Sequence, residues 1–226
     1  MNEFIEVSYE TYSTPWFIRQ KLTQLEEHIM LSFDTETRSV YSKEERKEAK
    51  ILLKNSNTSL VNKKLSLQVV NSSGLSFPSL VTVTHFIFGI SDCESVVLIA
   101  ENMAVEMIIW HWLAKYEGLI IVHNSLFDLK LMYHRVKKFP KNYEDTQLLA
   151  KTFVNHVDIW KAKVGLKELV GDHYLPAWSL FDTYEPKNLR DPKFLMYAAT
   201  DGCATILLYE QLEEHINKNE RNSRGY

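Results

Sequence analysis

The fold of this protein is set by residues 29–36, which read IMLSFDTE. An apolar run of this length that ends in carboxylates is typical of a buried β-strand. Because side chains alternate along a strand, Asp34 and Glu36 project from the same face. Two close carboxylates repel each other, and a divalent cation such as Mg²⁺ or Mn²⁺ relieves the repulsion because it prefers oxygen ligands. The alternative is a strand end that emerges into solvent, where an Asp-x-Glu sequence needs no ligand.

The segments around this strand alternate between helical and extended patterns. Helices are predicted at about 15–28, 103–116, 125–137, 146–154, 164–170 and 192–217. Further strands are predicted at 80–90, 95–100, 119–122 and 142–145, and a short strand could form at 65–70. This order predicts a mixed α/β sheet with helices on both faces.

Length and composition are those of a globular chain, with 226 residues of which 45% are hydrophobic and 24% charged. They exclude disordered and low-complexity classes, and no apolar stretch approaches the ~20 residues that cross a bilayer. The start of the chain lacks a signal-peptide pattern, and Cys93 and Cys203 are too few for a disulfide framework or a cysteine-based zinc site. We therefore expect one cytoplasmic domain over residues 1–226, with no membrane partner.

Charge is concentrated in an insertion at about residues 39–78. Within it, residues 43–64 contain seven Lys or Arg against three Glu, although the whole chain carries a net charge of −3. Ser42 and Glu45 fit a capping box, so a basic helix is predicted to about Lys54. This concentration of positive charge is either a solvated decoration or a surface for an anionic ligand. The negative total argues against a protein that coats nucleic acid by bulk electrostatics.

Two further carboxylates lie at positions of interest. Asp201 falls on the apolar stripe of the C-terminal helix, one turn after Tyr197, and a carboxylate there needs a metal ion or a hydrogen-bond partner. A structural Asp bonded to the backbone or to a tyrosine hydroxyl is an equal alternative. Asp128 lies in the first turn of a helix, where the helix dipole also favours an acid. Ligands of α/β sheets bind near the carboxyl ends of strands, where Asp34, Glu36 and Asp128 are all expected.

Together these residues resemble the three exonuclease motifs of the DEDD superfamily. The motifs are Phe33-Asp34-Thr35-Glu36-Thr37, Asn124-x-x-Phe127-Asp128 and Tyr197-x-x-x-Asp201. The third spacing resembles the tyrosine subgroup, DEDDy, typified by the proofreading 3′–5′ exonuclease domains of family A DNA polymerases. Met196 stands where the histidine subgroup has its histidine. Residues 145–150 (DTQLLA) and 165–169 (GLKEL) resemble the helical segments between the second and third motifs, so the resemblance covers about residues 14–36 and 79–217.

The resemblance implies a ribonuclease H-like α/β fold. This fold has a mixed five-stranded sheet, with its first three strands antiparallel, flanked by helices; here the basic insertion follows the first strand. The implied activity is hydrolysis of terminal phosphodiesters of single-stranded DNA from the 3′ end, in proofreading or repair, to release nucleoside 5′-monophosphates. A polymerase or replication partner would act in trans. The basic insertion would then be an arm that guides the nucleic-acid backbone or a surface that docks such a partner, unless it is only a solvated decoration. An RNA-trimming enzyme like ribonuclease D and a non-catalytic nucleic-acid-binding module are the alternatives.

The resemblance also implies roles for single residues. Asp34, Glu36 and Asp201 hold the first of two Mg²⁺ or Mn²⁺ ions, and Asp34 bridges to a second ion that Asp128 helps to hold. Tyr197 orients the attacking water through its hydroxyl, since a side-chain pKa of about 10 makes it a poor base. The residues expected to contact the terminal nucleotide are Thr37, Asn124 and Phe127.

Two of the remaining assignments have structural alternatives. Phe127 either stacks on a base or packs into the core. Asp145 either supports the site or caps the helix that follows it, and we expect the cap. The tryptophans are expected to pack in the core or at its edges.

Overall fold

The computed structural model of the protein describes residues 4–55, 58–70, 78–153, 163–179 and 188–223. Its strands are β1 (Ser8–Tyr12), β2 (Met30–Ser32), β3 (Asp34–Ser39), β4 (Val81–Gly89), β5 (Glu94–Ile99), β6 (Leu119–Val122) and β7 (Asn142–Asp145). Its helices are α1 (Pro15–Leu25), α2 (Lys43–Lys54), α3 (Leu60–Val70), α4 (Met103–Leu113), α5 (Ser125–Val136), α6 (Thr146–Phe153), α7 (Leu166–Val170), α8 (Leu175–Ser179) and α9 (Pro192–Ser223).

The strands form two sheets that meet at residues 29–36. One sheet has the order β1-β5-β4-β3 and the other the order β2-β6-β7. Phe33 alone separates β2 from β3, and its backbone N–H donates to the carbonyl of Ile121 at 2.7 Å, so pairing with β6 continues to the first carboxylate. β4 is antiparallel to β3 and β5, whereas β2, β6 and β7 are parallel. The predicted mixed sheet, with its first three strands antiparallel, is confirmed.

The described residues form seven strands rather than the five predicted, because the strand predicted at 29–36 is divided into β2 and β3 and because β1 adds one at the edge. It pairs in parallel with β5, from Ser8 opposite Glu94 to Tyr12 opposite Leu98. Its sequence, SYETY, lacks an apolar run, and its side chains are exposed or half-buried. An edge strand of this kind carries no hydrophobic pattern from which it can be predicted.

Apolar side chains pack on both faces of the antiparallel strands. Alternation along β4 directs Phe86 and Phe88 to the face covered by α1, α4 and α5, where the Phe86 and Trp110 ring centroids lie 4.7 Å apart. Ile87 points to the opposite face and packs with Ala198 of α9. The predicted helices on both faces are thus confirmed.

A close approach between α9 and β4 sets the position of Asp201. A Cβ on Gly202 would lie 2.8 Å from Cγ2 of Ile87, and one on Gly89 would lie 2.5 Å from the carbonyl oxygen of Gly202. Neither position therefore has room for a side chain. The Ser32 hydroxyl donates to the Gly202 carbonyl at 2.7 Å and accepts from the Gly89 N–H at 3.0 Å. These contacts hold α9 against the sheet at the residue next to Asp201.

The described part of the insertion contains α2 and α3, which pack against each other. The predicted capping box is confirmed, because Ser42 Oγ accepts from the Glu45 N–H at 3.1 Å and Glu45 Oε2 accepts from the Ser42 N–H at 2.7 Å. The strand suggested at 65–70 is wrong, since these residues lie in α3. The alternating pattern behind it leaves Leu65 and Leu67 exposed by 54% and 49%, so it does not face a core.

Residues 56, 57 and 71–77 of the insertion lie outside the described residues. The organisation of residues 1–226 as one domain with this insertion stays a prediction. The other predicted helices and strands are present with shifted ends; for example, the helix predicted at 103–116 ends at Leu113. None of the helices formed by the described residues is long and apolar enough to cross a membrane.

Candidate active site

Two neighbouring carboxylates of β3 meet a third carboxylate from the distant helix α9. Asp34, Glu36 and Asp201 each offer an oxygen, and these oxygens all lie within 4.8 Å of one another. Asp34 and Glu36 alternate around Thr35 on β3, whereas Asp201 comes from α9. Three of the four predicted metal ligands are therefore brought together, at a spacing that could hold a metal ion.

Burial and mutual repulsion disfavour the ionised forms of these acids. Burial raises the pKa of Asp34 well above its usual range, and the charges of Asp128, Glu36 and Asp201 raise it further. Burial, followed by the charge of Asp201, raises the pKa of Glu36 to about 8. Burial likewise raises the pKa of Asp201 to about 6. Several buried negative charges this close repel one another strongly. At neutral pH these carboxyls therefore bind either protons or cations.

Asp128 lies beside the group of three and is held by Thr35. The Thr35 hydroxyl donates to Asp128 Oδ1 at 2.5 Å, and both residues are buried. Burial raises the pKa of Asp128 to about 7, although the bond from Thr35 lowers it. The charge of Asp128 raises the pKa of Asp34 more than the charges of Glu36 and Asp201 do. The fourth predicted ligand is thus part of the same electrostatic site, although it is not one of the three closest carboxylates.

A tryptophan that the sequence does not single out orients Asp201. Trp178 Nε1 donates to Asp201 Oδ1 at 2.7 Å, and this bond lowers the pKa that burial raises. The Tyr197 hydroxyl also bonds to Asp201. Both interpretations of Asp201 therefore have support. It has hydrogen-bond partners, as a structural Asp would, and it also lies in the acidic group that could hold a metal ion. Trp178 precedes Asp201 by 23 residues, so no local spacing links the two.

Tyr197 lies one helical turn before Asp201 on α9 and is half-buried. Burial raises its pKa, and the negative charges of Asp201, Glu36 and Asp34 raise it further. The phenol therefore stays protonated at neutral pH. A protonated hydroxyl beside the carboxylates suits a positioning role rather than that of a base.

One cation reaches this acidic site from α7. Lys167 Nζ lies 4.8 Å from the ring centroid of Tyr197 and 5.6 Å from that of Trp178, within the range of cation–π contacts. Its positive charge lowers the pKa of Glu36 and of Asp201. The sequence places Lys167 only in a helical segment, and nothing in that segment indicates a contact with Tyr197.

Asp145, at the end of β7, stabilises the turn that leads into α5 by hydrogen bonds to its backbone. Its carboxylate accepts from the backbone N–H groups of Asn124 at 3.1 Å and Ser125 at 2.8 Å. It also accepts from the N–H groups of Gln147 at 2.8 Å and Leu148 at 3.3 Å. The second pair of bonds is the predicted helix cap, whereas the first pair supports the turn before Asp128 and corresponds to the alternative role, support of the site.

The three predicted substrate-binding residues lie around the carboxylates in different environments. Asn124 is exposed and has a left-handed backbone with φ 64°, a conformation that Asn tolerates better than most residues. Thr37 is half-buried on β3 opposite Val83. Phe127 is half-buried and packs against the core, which is the structural alternative for this side chain. Their contacts with a substrate stay predictions.

Several solved structures share the fold of this chain. NrnC of Brucella melitensis with bound Mg²⁺ is 15% identical, with 97% of this chain and 86% of that chain covered and a TM-score of 0.54. The catalytic core of RRP6 from Trypanosoma brucei is 12% identical, with 93% and 48% covered and a TM-score of 0.59. The EXO domain of Nibbler from Aedes aegypti is 14% identical, with 96% and 93% covered and a TM-score of 0.57. No protein-family model and no curated protein sequence matches the chain.

These neighbours are DEDD-type 3′–5′ exonucleases with ribonuclease H-like domains. The predicted ribonuclease H-like fold is therefore confirmed. At identities of 12–15%, the structural similarity shows only that these chains share a fold. The assignment to the tyrosine subgroup and the resemblance to polymerase proofreading domains stay predictions.

Proposed function

We propose that this protein is a metal-dependent 3′–5′ exonuclease that hydrolyses the terminal phosphodiester of single-stranded nucleic acid. The observation that carries the proposal is the convergence of Asp34, Glu36 and Asp201, with oxygens within 4.8 Å of one another. The same fold is found in NrnC with bound Mg²⁺. An anionic phosphodiester can approach such a carboxylate group only when cations neutralise it.

The donor set fits hard divalent cations. All of the donors are carboxylate oxygens, which suit Mg²⁺ and Mn²⁺ and not the softer metals that prefer sulfur or imidazole. We propose that Asp34, Glu36 and Asp201 hold one ion and that Asp34 and Asp128 hold a second. Bound ions of this kind activate water and stabilise the leaving oxygen in phosphodiester hydrolysis. The raised pKa values of Asp34 and Glu36 are consistent with a site that ionises fully only when it is loaded.

The remaining side chains hold and orient the reacting groups. Trp178 fixes one oxygen of Asp201, so that this carboxylate keeps its direction. Tyr197 stays protonated and would donate its hydroxyl hydrogen to orient a water or a phosphate oxygen, in the manner of the tyrosine subgroup. Lys167 lies over the Tyr197 ring, and its charge lowers the pKa of Glu36 and of Asp201.

The proposed substrate is single-stranded nucleic acid, without a choice between DNA and RNA. DNA as the substrate, with a role in proofreading or replication, stays a prediction from the polymerase resemblance. The solved structures described above are named as NrnC, RRP6 and Nibbler rather than as polymerases. The experiment therefore uses DNA and RNA of the same sequence in parallel.

The test is digestion of end-labelled oligonucleotides by the wild type and by Asp34→Ala, with Mg²⁺, Mn²⁺ or a chelator. We expect a 5′-labelled strand to shorten stepwise and a 3′-labelled strand to release its label as a mononucleotide first. Asp34→Ala should lose at least about 100-fold in rate, because direct ligands matter more than the residues behind them, whose loss costs 10–100-fold. Tyr197→Phe keeps the ring and tests the hydroxyl alone.

The matched control is Asp172→Ala, which removes an exposed acid outside the site and should leave the rate unchanged. Equal digestion by the wild type and Asp34→Ala would end the catalytic proposal. Binding without cleavage by the wild type would favour a non-catalytic module instead. Early release of a 5′ label would reverse the proposed direction.

A further inference from the structure

We propose that the end of β3 and the insertion together carry a binding track for the phosphodiester backbone of the substrate strand, several nucleotides before its 3′ end. The track consists of Arg38, Arg46, Lys47 and Lys50, and is called the basic track below. It rests on the proposed exonuclease function, because the site supplies the terminus from which the strand extends. The ligand is the repeating phosphate of a nucleic acid, without regard to its sugar or bases.

The basic track begins on the strand that carries two of the catalytic carboxylates. Arg38 follows Glu36 by two residues on β3, which corresponds to about 7 Å along the strand. The chain then turns into α2, whose first turn is fixed by the capping box of Ser42 and Glu45. Arg46 therefore lies in the first turns of a helix whose start is fixed and which follows directly after β3.

Two adjoining cavities join the members of the basic track. The first has a volume of about 340 Å³, and the second about 290 Å³. Arg46 lines both. The first is lined also by Arg38, Ser39, Tyr41, Ser42 and Glu44. The second is lined also by Lys47, Lys50 and Val70. Basic side chains therefore follow one another from the end of β3 along one side of α2, where residues spaced by three and four are neighbours.

The cations of the basic track have no acidic partner within the described part of the chain. The ion pairs between described side chains involve other residues. Arg46 Nε is buried and has no hydrogen-bond partner among the described residues. Two acids lie nearby. Glu45 is already bonded to the Ser42 N–H. Glu44 lines the first cavity but forms no ion pair with Arg38 or Arg46 among the described residues. These charges are thus available to an external anion.

A phosphodiester is the anion that fits this arrangement best. The guanidinium groups of Arg38 and Arg46 match the oxygens of a phosphate, and Lys47 and Lys50 act as point charges along a flexible strand. The first cavity lies beside Arg38 on β3, and the second lies beside Lys47 and Lys50 on α2. Because Arg46 lines both cavities, successive phosphates of one strand can occupy them in turn. An acidic protein segment offers charge without this regular spacing, and the experiment separates the two.

The experiment measures binding, so that it does not depend on cleavage. In the full-length Asp34→Ala background, the affinity for a labelled single strand of about 12 nucleotides is followed by fluorescence anisotropy over a series of salt concentrations. Lys47→Gln/Lys50→Gln is compared with Lys63→Gln/Lys64→Gln, which removes the same charge from α3 at residues that do not line the two cavities. Arg38→Gln tests the start of the basic track separately. A 5′-phosphorylated dinucleotide is too short to reach the basic track, so its affinity reports binding at the acidic site alone.

We expect the slope of log affinity against log salt to become less negative by about 0.7 for each phosphate that the protein no longer neutralises, and thus by about 1.4 for Lys47→Gln/Lys50→Gln. Lys63→Gln/Lys64→Gln should keep the wild-type slope, and neither pair should change dinucleotide binding. Equal slopes for the two pairs, changed or unchanged, would overturn the basic track. Displacement of the strand by a poly-glutamate of equal charge at equal concentration would also overturn it, in favour of an acidic protein partner. Failure of the proposed function appears separately, as absence of cleavage by the wild type.

Discussion

Thr35 Oγ1 donates to Asp128 Oδ1 at 2.5 Å, which links the middle of β3 to the first turn of α5. Because this bond lowers the pKa of Asp128, Thr35→Val should raise that pKa and decrease exonuclease activity at neutral pH by about 10–100-fold, the usual effect of removing a partner of a metal ligand. Activity should recover as the pH rises. The measurement is kcat/KM against pH. Thr35→Ser retains the hydroxyl and serves as the control; equal losses in both variants would contradict the role of the bond.

Trp178→Phe removes the N–H that bonds to Asp201 but keeps an aromatic ring in the buried position. Without the bond, the carboxylate loses its fixed direction, so the Mg²⁺ concentration for half-maximal activity should increase about 10-fold or more. Mg²⁺ titration of activity measures this. Trp16→Phe is the matched control, because Trp16 is 64% exposed on α1. An unchanged Mg²⁺ requirement in Trp178→Phe would show that the bond is only structural.

Lys167→Met removes the positive charge that lowers the pKa of Glu36 and Asp201. Both carboxyls should therefore hold their protons to a higher pH, and the acid limb of the pH–activity profile should move to higher pH. We expect a loss of about 10-fold at neutral pH. Lys167→Arg keeps the charge and should resemble the wild type, as should Lys163→Met, which removes an exposed lysine nearby. A profile that scales down without shifting would contradict an electrostatic role.

Metal-free protein should lose stability as the pH rises. Free carboxyls titrate at about pH 4, whereas burial raises the pKa of Glu36 to about 8, of Asp128 to about 7 and of Asp201 to about 6. The folded state therefore holds more protons than the unfolded state between these values, so the free energy of unfolding decreases from about pH 4 to about pH 8. Mg²⁺ binds the ionised native site and should oppose the decrease. Denaturation at several pH values, with Mg²⁺ or a chelator, measures both effects.

The control for this pH dependence is Asp34→Asn/Glu36→Gln, which removes two of the raised groups. Its metal-free stability should depend less on pH, and Mg²⁺ should add less to it. A wild-type protein that becomes more stable from about pH 5 to about pH 8 without metal would contradict the raised pKa values, since the sign of the slope follows from which state binds more protons.

Asp145→Ala removes one carboxylate that accepts four backbone N–H groups, two in the turn before α5 and two at the start of α6. The loss of a helix cap alone costs about 0.5–2 kcal/mol, so we expect the free energy of unfolding to decrease by about 2 kcal/mol or more. Urea denaturation measures the change. Asp172→Ala, at an exposed position, should change the free energy of unfolding little. Equal decreases in the two variants would contradict a stabilising role of the Asp145 hydrogen bonds.

Local patterns predicted much of this fold. The strand at residues 29–36, the parallel strand at 119–122 and the long helix that begins near Pro192 follow from apolar periodicity and helix-start signals. The same reasoning failed at β1, whose exposed edge position requires no apolar run, and at 65–70, where alternating residues lie in a helix. In both segments, packing against a neighbour decided the structure rather than the pattern.

The site was only partly predictable. The positions of Asp34, Glu36 and Asp201 in apolar elements made them candidates with structural alternatives, and only the motif resemblance joined them in one site. The structure brings their oxygens together. Trp178 and Lys167 contact the site from α8 and α7 without any local signal. A tryptophan or a lysine in a short helix has many possible neighbours, and only the packing of these helices selects one.

The sequence by itself determined which chemical groups this protein carries and which of them lie on strands or helices, because residue type and periodicity are local properties. The tertiary structure alone decided which carboxylates meet. Asp201 reaches Asp34 because Gly202 and Gly89 allow α9 to lie directly on β4, and Ser32 bonds to both glycines. Those contacts join residues far apart along the chain, so their geometry exists only when the sheet and the helix have packed together.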